Sequence, residues 1–402
     1  MMTPSLDLFI FADALGWKLA EERSFMRDIF PHRAPCETVF GYSSSCDPSI
    51  LTGTLPAEHG HFSFFVFDPE RSPFRWARPL GWLPQKIAAN HRVRNRVSRW
   101  VASRHGYTGY FQLYSVPFSR LPYLDYTEKR DIYEPGGING GQPTIFESWQ
   151  SLNVPWTRSD WRAGDQANVA RVKCEIEKGE VRLAYLFTAG LDGAMHAHGT
   201  SSSQTDAAFD RFERWVREIR DCAQRHYREV RLHIFSDHGM ADTTAVSTMR
   251  LDFEKAGLVF GRDYGAVWDS TMARFWFPGG ARLREEITHW LAERAEGRIV
   301  SDAQLQAWGC CFPNRRYGEL FYLLESGGLF APSFMNLGKV TAMHGFDPAE
   351  PESRACWLTT HPTRSPPRQI HQIYDVMKEA ATAIALARKP EADDVPRASM
   401  SA

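Results

Sequence analysis

Val230–Met240 reads VRLHIFSDHGM. Val230, Leu232, Ile234 and Phe235 make a short strand-like run that stops on Asp237-His238-Gly239. A run of this length, bounded by a turn signal, is expected as a buried strand of a parallel sheet. The acid–histidine pair then falls at the strand's C-terminal edge, where open α/β sheets carry their active sites. Working outward, three more runs read the same way. Leu8–Ala12 (LFIFA) closes on Asp13, and Leu183–Thr188 (LAYLFT) leads into Asp192-Gly-Ala-Met-His196. Ala355–Thr360 (ACWLTT) follows a loop containing His344-Gly345. Between them lie helical patterns: Phe209, Phe212, Val216, Ile219 and Ala223 form one apolar stripe within 206–227, with similar patterns over 282–296 and 368–388. The expected fold is a single α/β/α sandwich domain with a mostly parallel central sheet. The uneven strand spacing places two insertions in it, at about 71–175 and 250–340. The Pro/Asp/Ser-rich tail, 391–402, is expected to be disordered.

The composition fits this class. The 402 residues are 43% apolar and 24% charged, and no run approaches the ~20 apolar residues of a membrane span. The N-terminus, MMTPSLD, lacks the basic region of a secretory signal. Seven scattered cysteines with no CxxC argue against a disulfide framework or a thiolate metal site, so a reducing, cytoplasmic setting is expected. The net charge of -1 implies no global polyanion binding. It conceals one asymmetry: between Glu70 and Asp125 there are ten basic residues and no acid, interleaved with aromatics. Two readings stay open there. The arginines are a solvated helix face, or they line the substrate entrance, with Arg94 and Arg96 gripping an anionic group.

Three aspartates and three histidines at the edge of one sheet can hold two divalent ions, with three protein ligands each. Carboxylate and imidazole without thiolate suit zinc or manganese. Asp192 and His196, four apart, meet on one helical turn. A nucleophile is expected in the serine-rich turn Gly41–Ser49, which starts a short helix with Pro48 in its first turn. A serine there gains unpaired backbone N–H groups and the positive end of the helix dipole.

Together these motifs resemble the alkaline phosphatase superfamily, most closely its phosphodiesterase/nucleotide pyrophosphatase branch. The resemblance rests on Asp13, the serine turn with Thr52-Gly53, Pro56-x-x-His59-Gly60, Asp192-x-x-x-His196, Asp237-His238-Gly239 and His344-Gly345, in that order. It implies two zinc ions, one on Asp192, His196 and His344, the other on Asp13, Asp237 and His238. It places the nucleophile nine residues before Thr52, at Ser43, with Ser44 as the register alternative. Cys46-Asp-Pro-Ser49 mimics a sulfatase signature but is out of register. The branch usually carries an asparagine a few residues after His-Gly as a phosphate donor. Here that place falls near Phe64, so either His61 or Ser63 substitutes or the phosphate oxygen is left to another group. The implied activity is hydrolysis of a phosphodiester or pyrophosphate through a phosphoseryl intermediate, with phosphomonoesters or phosphonates as alternatives; a non-catalytic, metal-dependent binding protein is the remaining alternative and requires an inert serine turn. The substrate is an anionic phosphoester: a nucleotide, nucleotide sugar or lipid-linked compound.

Overall fold

The computed structural model describes residues 2–82 and 90–388. The core is a six-stranded sheet of β1 (Thr3–Ala12), β2 (His32–Cys36), β3 (Trp156–Arg158), β4 (Leu183–Thr188), β5 (Tyr227–Phe235) and β6 (Ala355–Thr359), in the order β2-β6-β5-β1-β4-β3. The strands β1, β3, β4 and β5 are mutually parallel, with Asp7 opposite Leu183 on one side and Arg231 on the other. Along β1 the side chains alternate between two buried faces. Leu8 and Ile10 pack with Val172, Phe212, Val216 and Ile219 from the helices Asp165–Lys178 and Ser203–His226. Phe9 and Phe11 join Ile50, Trp149 and Met377 from the helices Ser43–Thr52, Ile145–Ser151 and Ile373–Arg388. Burial on both faces is why β1 reads as a continuous apolar run.

The structure corrects the sequence expectation in three places. β6 is antiparallel to both neighbours, with Trp357 opposite Phe235 and Thr359 opposite His233. This direction brings the start of β6, and the loop before it, to the C-terminal edge of β5, so His344 reaches the ligand edge. The first insertion also ends earlier than 175, because β3 and the helix Asp165–Lys178 belong to the core. Pro48 lies in the second turn of its helix, because Tyr42 is still extended and the helix begins at Ser43. Within 250–340 the chain builds a separate four-stranded antiparallel sheet from Gly265–Trp268, Met272–Trp276, Gly297–Val300 and Leu320–Leu324. The expectation for the tail at 391–402 lies outside the described residues. Among the described residues, no helix is long and apolar enough to cross a membrane.

Candidate active site

Four chain segments converge at the C-terminal edge of the parallel strands. Asp13 follows β1, Asp237 and His238 follow β5, Asp192 and His196 sit on the helix Gly190–His198, and His344 precedes β6. Ligating atoms of Asp192, His196 and His344 lie within 4.8 Å of one another, and so do those of Asp13, Asp237 and His238. His196 Nε2 is 3.1 Å from Asp192 Oδ1, and His238 Nε2 is 3.0 Å from Asp237 Oδ2. The two trios adjoin: the His238 and His344 rings stack with centroids 3.7 Å apart. Backbone carbonyls orient two of the imidazoles. His196 Nδ1 lies 2.8 Å from the Ala342 carbonyl and His238 Nδ1 2.9 Å from that of Gly239. Each Nδ1 is thereby assigned the proton, leaving an Nε2 lone pair for the site.

This cluster fits cations. Asp13 Oδ1, Asp192 Oδ1, Asp237 Oδ2 and His344 Nδ1 are buried without a hydrogen-bond partner, a costly state for polar atoms unless a ligand completes them. Burial pushes the Asp13 carboxyl well above its ordinary range, and the charges of Asp237 and Asp192 push it further. Two divalent ions would relieve both conditions.

Ser43 is the first residue of its helix, and its Oγ is 3.1 Å from His238 Nε2. The neighbouring hydroxyls are committed elsewhere. Ser44 Oγ donates to the Phe62 carbonyl (3.0 Å), Ser45 Oγ to that of Tyr42 (2.8 Å), and Ser49 Oγ to that of Ser45 (2.9 Å). Among these serines, Ser43 is the one turned toward the acid–histidine cluster.

A cavity of ≈ 660 Å³ opens beside Ser43. Its wall includes Asp13, Asp192, His196 and His344, with Phe64, Tyr110, Tyr114, Tyr133 and Trp161 beyond them. Ser63 also lines it, but its hydroxyl donates to Asp269 (3.1 Å) and accepts from Arg274 (2.7 Å).

The other expected substrate contacts fall elsewhere. His61 is buried off the cavity wall, and its Nε2 accepts the Asn139 amide proton at 2.9 Å. Burial holds its pKa down to about 3, so the ring stays a neutral acceptor. Arg94 is 7% exposed and donates to the carbonyls of Tyr114 (2.8 Å) and Val116 (2.9 Å). It faces inward because the helix His91–His105 turns Arg94, Ser98 and Val101 to the protein. Arg96 is on the opposite, exposed face and is not part of the wall. The basic segment thus lends the cavity Tyr110 and Tyr114 rather than its arginines.

Several site residues escaped the sequence reading. Asp47 lines the cavity one helical turn from Ser43, a spacing that could have flagged it. Glu128 is buried in the same wall. Tyr42, just before Ser43, hydrogen-bonds Thr271 Oγ1 at 2.8 Å, and Thr271 Oγ1 donates to the Gly345 carbonyl at 2.9 Å. The inserted sheet therefore ties the start of the Ser43 helix to the loop carrying His344. Behind it, Arg274 Nε donates to Asp269 Oδ2 at 2.8 Å, with both residues fully buried.

Residues 25–293 match the family model for type I phosphodiesterase / nucleotide pyrophosphatase. The chain belongs to that family. The matched span holds Ser43, Asp192, His196, Asp237 and His238, and the geometry adds Asp13 and His344 from outside it. No curated protein sequence matches. Among solved structures the chain is similar to murine ectonucleotide pyrophosphatase / phosphodiesterase 5 at 14% identity and a TM-score of 0.64, covering 94% of this chain and 95% of that one. The human counterpart gives 12%, 0.65, 94% and 95%. Phosphonoacetate hydrolase from Sinorhizobium meliloti 1021 gives 12%, 0.58, 94% and 96%. At such identities these likenesses show the fold. The family makes the chain a metal-dependent phosphoric ester hydrolase of the phosphodiesterase/pyrophosphatase type.

Proposed function

We propose that the protein cleaves a phosphodiester or pyrophosphate bond with Ser43 as nucleophile and two divalent metal ions, zinc or manganese, as cofactors. One ion would be held by Asp192, His196 and His344, the other by Asp13, Asp237 and His238. The observation that carries this reading is Ser43 Oγ 3.1 Å from His238, facing two adjoining Asp/His trios whose buried oxygens lack partners. When bound, such ions lower the pKa of a hydroxyl and neutralise charge on a phosphoryl group. The chain's own residues do the rest. Ser43 Oγ forms a bond to phosphorus in line with the breaking bond to the leaving oxygen, which departs as an alcohol or phosphate after taking a proton. The first N–H groups of the Ser43–Thr52 helix, which have no intrahelical acceptor, face the phosphoryl oxygens. Water then attacks phosphorus, the Ser43 Oγ–P bond breaks, and the serine regains its proton.

The cavity favours diesters over monoesters: ≈ 660 Å³ beside the nucleophile holds a second organic group on phosphorus. Nucleotides, nucleotide sugars and lipid-linked phosphoesters are the classes of that size. The test compares hydrolysis of an aryl phosphodiester and an aryl phosphomonoester by zinc-loaded protein, before and after chelation. The expected result is chelator-sensitive turnover with the diester preferred. Monoester preference would move the reading to a phosphatase, and activity unaffected by chelation would overturn the metal assignment.

A further inference from the structure

We propose that the short helix Arg75–Trp82 and the helix His91–His105 form a docking surface for an anionic lipid membrane, on which arginines meet the headgroup phosphates while Trp82 and Trp100 enter the interface. The inference is independent of the hydrolase reading, because none of these residues lines the cavity beside Ser43.

The surface is built, not incidental. The helix His91–His105 is pinned by its inner face. Arg94 donates to the Tyr114 and Val116 carbonyls, Ser98 Oγ accepts the Leu113 amide proton at 3.1 Å, and Val101 is fully buried. The outer face is thereby held toward solvent. Arg92, Arg96 and Arg99 are exposed there, and spacings of four and three put them in one stripe. Trp100, 51% exposed, stands one turn beyond Arg96 on the same flank. Arg75–Trp82 is a 3-10 helix, in which residues three apart share an edge. Ala77, buried, and Leu80, half-buried, form its inner edge. Arg75 and Arg78 form an exposed basic edge, and Trp76, Pro79 and Trp82 form an apolar one. The Trp76 and Trp100 rings meet at 5.0 Å, so the two helices present one surface.

Charge complementarity names the partner. Arg71 and Arg120 have an acid within 4.0 Å, Asp68 and Glu254 respectively. Arg78, Arg92, Arg96, Arg99 and Arg104 pair with no acid among the described residues. The stretch LPQKIAA between the two helices contains no acid to pair with them. The ten cations between Glu70 and Asp125 sit in a chain of net charge -1, which leaves -11 for the remainder. A long polyanion would run on across that acidic remainder, whereas a lipid surface touches one face. Trp82, at 77%, and Trp100 are the two exposed tryptophans among the described residues, and both lie in this acid-free stretch. Tryptophan favours the headgroup level of a bilayer, and a short amphipathic element with a basic face and aromatic anchors lies in that plane. Each basic side chain near an anionic surface strengthens binding about fivefold. Bases of a single-stranded nucleic acid stack on open ring faces. Trp76 and Trp100 meet edge to face at 85°, so one of those faces is already covered.

Vesicle flotation tests the proposal. The probes are vesicles of phosphatidylcholine mixed with phosphatidylglycerol, vesicles of phosphatidylcholine alone, and a single-stranded oligonucleotide. The proteins are wild type, the triple variant Arg92→Gln, Arg96→Gln, Arg99→Gln, and the double variant Trp82→Ala, Trp100→Ala, each checked for fold by circular dichroism. Wild type should bind the mixed vesicles at least tenfold more tightly than the neutral ones, and added salt should weaken that preference. The triple variant should lose tenfold or more in affinity for the mixed vesicles, and the double variant threefold or more. The triple variant changes side chains that reach into solvent, so it reads the surface even where the tryptophan variant is less stable. No preference for the mixed vesicles, or binding unchanged in either folded variant, overturns the proposal. Tighter binding of the oligonucleotide than of the mixed vesicles, lost in the triple variant, makes this face a nucleic-acid surface and refutes it.

Discussion

Replacing Arg274 by methionine removes the donor of four hydrogen bonds, to Asp269, Ser63 and the carbonyls of Tyr317 and Phe65. Both members of the ion pair are 0% exposed, so water cannot take over. Each buried acceptor left without a donor costs about 1–3 kcal/mol, and breaking a buried pair on one side typically totals about 3–5 kcal/mol. The attraction within the pair is offset by the cost of burying both charges. Burial outweighs Arg274 and holds the Asp269 carboxyl above its ordinary value. A double variant, Arg274→Met with Asp269→Leu, should therefore recover most of the loss. pH separates these terms further. In Arg274→Met, Asp269 is raised further, so the folded state binds a proton that the unfolded state releases near pH 4. The variant's stability then falls as pH rises above that value, and its deficit narrows toward pH 4. Urea unfolding of the three proteins, followed by tryptophan fluorescence at pH 5 and pH 8, measures all of this. A single variant within about 1 kcal/mol of wild type, or a double variant no better than the single, would refute the reasoning.

Arg94→Met should cost about 2–3 kcal/mol by orphaning two buried carbonyls. Arg96→Glu, on the exposed face four residues from Arg92, should change stability by no more than about 0.5 kcal/mol; thermal unfolding compares them, and equal effects would contradict the placement of Arg94. For Glu128, raised to about 8, the unfolded state loses its proton near the ordinary carboxylate value while the folded state keeps it. Its contribution to stability therefore declines with rising pH between those values, by about 1.4 kcal/mol per unit at most. The stability of Glu128→Gln relative to wild type should rise from pH 5 to pH 8 in urea titrations, and a constant difference would show that Glu128 is not desolvated. Elemental analysis should find close to two divalent ions per chain, with Asp237→Ala and His344→Ala each losing metal; one ion in the active wild type would break the dinuclear assignment.

The Asp/His cluster was legible because Asp13, Asp192 and Asp237 each follow a buried apolar run, with His196 and His238 close behind; His344, in the loop before β6, carried no such strand-end signal. β4 could be read to the residue from its apolar run. Strand direction was not legible. Trp357 and Leu358 are buried whichever way β6 runs, and nothing in that apolar run encodes its antiparallel pairing with β5 and β2. β2 (HRAPC) and β3 (WTR) were invisible, being short sheet-edge segments with charged or proline residues and little burial. Arg94 and Arg96 look alike in sequence and are opposites in structure, because helix phase decides which side chain is buried. Asp47, Glu128, Asp269 and Arg274 gain meaning from what distant segments place around them, and no local pattern encodes that.

The central claim is that Ser43 carries the phosphoryl group during turnover. Acid quenching of metal-loaded protein during hydrolysis of an aryl phosphodiester, followed by peptide mass spectrometry, tests it most directly. The account predicts the alkyl phosphoryl group of the substrate on the Ser43 hydroxyl, absent from Ser43→Ala, which should retain its metal and fold while losing several orders of magnitude in kcat. An adduct on Ser44, or unimpaired turnover by Ser43→Ala, would contradict it.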